Sequence, residues 1–265
     1  MICPLFVRSL RSVAPVLLTL AAIAVMYAAS IVYLYDPAVS ESLVAMQEAM
    51  PELFAAFNMA NVASTLIDFL INYLYGFLFT VLLIVLAVYL AWRLVAGPVK
   101  DGSLAWLLAA PRSRGALALT LVVTEVAAVA LVVALCWLGE AVCAEALFPG
   151  ELDHAGLARA NGGLFVLGLF AAAVCLASAC AFQRPGLGVA VGAGFCVLCF
   201  LMGLAGSAGE GLAWLADLSP FARFDAYGLA AGDGDAAVGV TGLAVAALGL
   251  NGLAVAVFAR RDFSL

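Results

Sequence analysis

Six apolar runs, each long enough to cross a bilayer as a helix, leave this chain little choice of architecture. A hydrocarbon core needs about 20 helical residues, and the runs cover roughly residues 14–35, 69–92, 116–138, 163–182, 187–206 and 238–259. Lipid offers no partner for backbone N–H and C=O groups, so a spanning segment is either a helix or part of a closed barrel. Runs this long predict helices. The residues are 67% hydrophobic and 11% charged, with a mean hydropathy of +1.18, values that a water-exposed surface does not accommodate. The expectation is an all-α integral membrane protein: a bundle of six transmembrane helices forming one domain over residues 1–265.

The basic residues predict its orientation. With the N-terminus in the cytoplasm, Arg8, Arg11, Arg93, Lys100, Arg112, Arg114, Arg184, Arg260 and Arg261 fall inside, and only Arg159 and Arg223 fall outside. Nine of the eleven basic residues on one side is the asymmetry expected of cytoplasmic loops. Both termini are then cytoplasmic. Most acidic residues, Glu140, Glu145, Glu151 and Asp153 among them, fall outside, although acids contribute little to the rule. Arg8 and Arg11 before an apolar run resemble a signal peptide, but the run continues well past the usual 7 to 15 residues. Residues 5–13 instead read as an N-terminal interfacial helix leading into the first span.

Several polar or reactive residues invite a chemical reading and have a structural alternative. Cys136, Cys175, Cys180, Cys196 and Cys199 fall in or beside apolar spans and read as small packing residues. Cys136 and Cys143 would be about 10 Å apart on a continuous helix, too far for a disulfide. His154, the only histidine, reads as a surface residue, because one imidazole builds no zinc site. Asp233 and Asp235 lack the further oxygen ligands of a calcium loop and read as a turn. In the first outer loop Leu43, Met46, Met50, Leu53, Phe54 and Phe57 share one helical face opposite Glu41, Glu48 and Glu52, so an amphipathic helix is expected there, as a lid or as a gate. Gly188 and Gly192, with Gly239, Gly242, Gly249 and Gly252, permit close helix approach within the bundle or between subunits.

Glu125 stands apart. It lies about 14 Å along the third span at 1.5 Å per residue, near mid-membrane. It is either a translocation-path residue or a structural hydrogen-bonding group meeting Thr124, Asn251, Asn72 or a neighbouring backbone.

Between the second and third runs lies a charged, punctuated segment, residues 101–114. Leu104, Leu107 and Leu108 recur at the spacing of one helical face, and Pro111 ends the helix. Asp101 and Ser103 are capping candidates, and Arg112 and Arg114 suit its C-terminal dipole. Asp101, Gly102, Ser103, Leu104, Leu107, Leu108, Pro111, Ser113 and Arg114 together resemble the segment between spans two and three of ABC-2 type transporter permeases. Weaker echoes are Leu218, Ser219, Pro220 and Phe221 before the last span, and Phe258, Arg260, Arg261, Asp262 and Phe263 at the C-terminal end.

The resemblance implies a membrane-spanning permease subunit in a bacterial cytoplasmic membrane, alternating between inward and outward access. It also implies a short cytoplasmic coupling helix in which Asp101, Leu104, Trp106, Leu107, Leu108, Arg112 and Arg114 meet an ABC ATPase subunit. ATP and Mg would belong to that partner, and a second permease copy or a related permease would complete the pathway. The chain itself carries no phosphate-binding loop, paired-histidine metal motif or nucleophile turn, so no enzyme activity or cofactor of its own is expected. Membrane lipid, and not nucleic acid, is the remaining partner. The rival readings are an ion-coupled secondary transporter using Glu125 and a membrane-embedded enzyme.

Overall fold

The computed structural model describes residues 3–35, 46, 49–50, 65–109, 113–207 and 210–261. These form an all-helical protein with six helices long and apolar enough to cross a membrane. The first-loop amphipathic segment, together with Pro111 and Arg112, lies outside the described residues.

Helix α1 (Cys3–Leu34) is one continuous helix of 32 residues. The expected lead-in, residues 5–13, is helical but is not separated from the span. Pro15, inside α1, removes one backbone donor without ending the helix, as lipid-embedded helices tolerate. The Thr19 hydroxyl donates to the Pro15 carbonyl at 2.9 Å.

The second span comes in pieces. Helix α2 (Leu66–Leu70) opens on a capping box, in which Thr65 Oγ1 accepts from the Asp68 N–H and Asp68 Oδ2 accepts from the Thr65 N–H. It loosens into a π turn over Ile71–Tyr75 and breaks at Gly76 and Phe77 before α3 (Leu78–Ala91) begins. Such a break frees carbonyls that lipid cannot satisfy. Thr80 answers one of them, its hydroxyl donating to Tyr75 O at 3.0 Å. A second π turn, Trp92–Ala96, leads to α4 (Gly97–Lys100) and then to α5 (Ser103–Ala109).

Helix α6 (Arg114–Leu147), capped by Ser113, and α7 (His154–Ala181), capped by Asp153, form a long antiparallel pair. At 34 residues α6 is about 51 Å long, well beyond the ~30 Å hydrocarbon core. Both helices outrun the expected spans at the end where they join. There Glu145 pins the loop, accepting from Gly150 N at 3.3 Å and meeting His154 Nε2 at 2.7 Å. Cys136 and Cys143 lie on this unbroken helix, and every cysteine is free.

Helix α8 (Pro185–Ser207) follows α7 closely. A Cβ at Gly188 would lie 2.3 Å from Ser178 O, and one at Gly192 2.9 Å from Cys175 Cα, so this glycine pair serves internal packing. Short helices α9 (Ala213–Leu218) and α10 (Ala226–Ala231) cross the far end before α11 (Gly234–Arg260) returns. Asp233 caps α11, accepting from Asp235 N, which gives that acidic turn its structural role. The most enclosed span is α7, packed by α3, α6, α8 and α11; α1 lies outside it against α6.

Candidate functional site

Three features carry polar or docking chemistry, and they lie at different levels of the bundle. At the end bearing most basic residues, α4 and α5 form a helix-turn-helix. Asp101 closes α4, its N–H donating to Gly97 O at 2.9 Å. Gly102 then takes φ +69, a left-handed backbone that a side chain would strain. Ser103 is the first residue of α5, and its hydroxyl donates to Pro98 O at 3.4 Å instead of accepting a cap bond.

The faces of α5 are disposed differently from the expectation. Leu104 is 3% exposed and belongs to the core, with the half-buried Leu107 packed against it. Trp106 is 84% exposed. Leu104 therefore holds α5 on its own bundle, and Trp106 projects away from it. Leu108 is helical, and Asp101 is exposed. Arg114 ties this end together, Nη1 donating to Arg261 O at 2.8 Å beyond the end of α11; Arg261 in turn donates to Cys180 O at the end of α7.

The second feature is Glu125 on α6. It is 1% exposed, and neither carboxyl oxygen has a hydrogen-bond partner. The expected structural bonds are not made. Thr124 spends its hydroxyl on Thr120 O at 2.7 Å, and Asn251 on α11 keeps a buried Oδ1 without a donor. Counting from the Arg114–Arg261 link, Glu125 is eleven residues up α6 and Asn251 ten residues back along α11, so both lie about 15–17 Å from that end. Three acceptor oxygens are thus left open at one depth in an apolar surround, where unmet polar groups are costly.

Farther along α6, Glu140 reveals what the sequence reading missed. It was placed among the outer acids, yet it is wholly buried. Its Oε2 accepts from Tyr75 Oη and from Asn161 Nδ2, both at 2.9 Å. Asn161 also donates to Tyr75 Oη and, at 3.2 Å, to Leu157 O. This network joins the π turn of the second span to α6 and α7. Tyr75 also lines a cavity of about 220 Å³ at the helix break, with Thr80, Phe200, Leu204, Ser207 and Phe221. Helical periodicity was the available signal: Val129, Val132, Cys136, Glu140 and Ala144 form one buried face, and it runs past the point where the apolar run was ended.

Among the described residues no cluster of three or more potential metal ligands occurs. No family model matches the chain, and no curated protein matches it.

Proposed function

We propose that this chain is the membrane-spanning permease subunit of an ATP-binding-cassette transporter of the ABC-2 type, driven by a separate ATPase subunit. The observation that carries the reading is α5: a short helix at the basic end, fixed to the bundle through Leu104 and presenting Trp106 outward. Burying a leucine contributes about 1.5–3 kcal/mol relative to leaving it in water, so a pull on Trp106 would pass into the bundle. Arg114 would pass it on to α11 through the Arg261 carbonyl. ATPase closure would then move α5 as a rigid body and switch the six helices between inward and outward access. ATP and Mg would bind the partner, a second permease would complete the pathway, and both termini would face the cytoplasm of a bacterial cell.

Co-purification with candidate ATPase subunits from the native cell tests this. Wild type should capture an ATPase, and Trp106→Asp should lose it with unchanged yield and elution. Leu104→Asp should instead lower the folded yield. Capture undiminished by Trp106→Asp, or no capture by wild type, rejects the reading.

One observation favours a second reading. The open acceptors at Glu125 and Asn251 suit an ion-coupled secondary transporter. In that case Glu125→Gln would abolish gradient-driven uptake in proteoliposomes lacking any ATPase; absence of such uptake by wild type rejects it.

A further inference from the structure

A groove of about 380 Å³ lies between the start of α1, the end of the second span and α5. Its polar lining is Arg8, Ser9, Ser12, Arg93 and Ser103, with no acidic residue among the lining side chains. Leu5, Leu94 and Leu121 give it an apolar side, and Trp106 and Leu107 close it from α5. Among the described residues, neither Arg8 nor Arg93 is hydrogen-bonded or ion-paired to a protein group, so two guanidinium groups remain available at the rim of an apolar slot. The Ser12 hydroxyl is committed to Ser9 O and that of Ser103 to Pro98 O, leaving the Ser9 hydroxyl as a further donor.

We propose that this groove binds the phosphate of an anionic membrane phospholipid, with its acyl chains along the leucine side. Guanidinium groups match phosphate oxygens in charge and in forked hydrogen-bond geometry. The volume is that of a small-ligand site. A free phosphate compound shares the headgroup chemistry, but it would leave the leucines unused. Basic pockets at the ends of transmembrane helices are suited to anionic headgroups. The bound lipid would bridge α1, the Trp92–Ala96 π turn and α5 and hold α5 at a fixed height, whatever α5 contacts beyond the membrane. The groove shares Trp106 with the face offered to the ATPase, but the phosphate site at Arg8 and Arg93 and its test involve no ATPase, so the lipid assignment stands or falls independently of the transport reading.

The test uses the full chain purified in an uncharged detergent, with binding counted by native mass spectrometry. Three probes are titrated: dioctanoyl phosphatidylglycerol, dioctanoyl phosphatidylcholine and inorganic phosphate. Wild type should retain one phosphatidylglycerol at least tenfold more tightly than phosphatidylcholine, and millimolar phosphate should not displace it. Arg8→Gln/Arg93→Gln should weaken phosphatidylglycerol about tenfold or more. Arg223→Gln, an exposed arginine at the opposite end, should leave it unchanged. Should the double variant fail to fold, the wild-type preference and its weakening by added salt decide alone. Equal retention of the two lipids, or an unaffected folded double variant, overturns the site. Phosphate competing as strongly as the lipid overturns the lipid assignment in favour of a soluble phosphate compound.

Discussion

Glu125 and Glu140 sit fifteen residues apart on α6, both buried, and the difference between them lies in their partners. Glu140 organises Tyr75 and Asn161, while Glu125 organises nothing. Removing the first strands the buried Tyr75 O–H donor, while Asn161 keeps Tyr75 Oη and Leu157 O as acceptors; removing the second strands nothing. Glu140→Leu should therefore cost about 1–3 kcal/mol, whereas Glu125→Leu should leave stability unchanged or raise it. Thermal unfolding in detergent, with monodisperse elution as the check on folding, reads both; equal losses would contradict the assignment. A double-mutant cycle on Tyr75→Phe and Asn161→Ala should give a coupling of about 0.6–1.7 kcal/mol, the range for hydrogen bonds between membrane helices. A coupling near zero would remove the network. Of these residues only Glu125 was legible in the sequence, because an acid in mid-run breaks the hydropathy pattern. Glu140 sits where hydropathy falls, and only the continued helical spacing of Val132, Cys136 and Ala144 marks it as inward-facing.

At the scale of elements, an apolar stripe reports that a face is covered, without reporting by what. The leucine spacing marks one face of α5, a helix over Ser103–Ala109, and Leu104 is covered by its own bundle. The glycines divide in the same way. Gly188 touches α7 backbone, whereas a Cβ at Gly249 on α11 would meet nothing within 4 Å. Gly188→Ala should therefore force α7 and α8 apart and lower the unfolding midpoint, and Gly249→Ala should hold or raise it, gaining up to about 1 kcal/mol of helix propensity. A matched decrease in both would contradict the packing. The break at Gly76 and Phe77 was not legible, since aromatic and aliphatic residues run through it without a polar interruption. Its trace is in the backbone: Thr80→Val should cost about 1 kcal/mol by stranding the Tyr75 carbonyl.

For the whole molecule, six spans and the gathering of basic residues at one end were readable from composition and spacing alone. Which helix occupies the centre was not, because all six are apolar and burial against protein resembles burial against lipid. The orientation makes its own prediction. In intact cells, a cysteine placed at Trp106 should be shielded from a membrane-impermeant maleimide, and one placed at Arg223 should react. The opposite pattern would invert the topology and remove the ATPase reading with it.

The central position of α7 also has a consequence for biogenesis. Its neighbours are divided along the chain: α3 and α6 are made before it, α8 and α11 after it. Until α11 is made, the flank of α7 that it covers has only lipid to face. The α11 residues that close the bundle, Leu243, Ala247, Asn251, Ala254 and Phe258, are translated after all the other neighbours of α7. The spans made earlier must therefore wait in the bilayer, inserted but incompletely assembled, until α11 arrives.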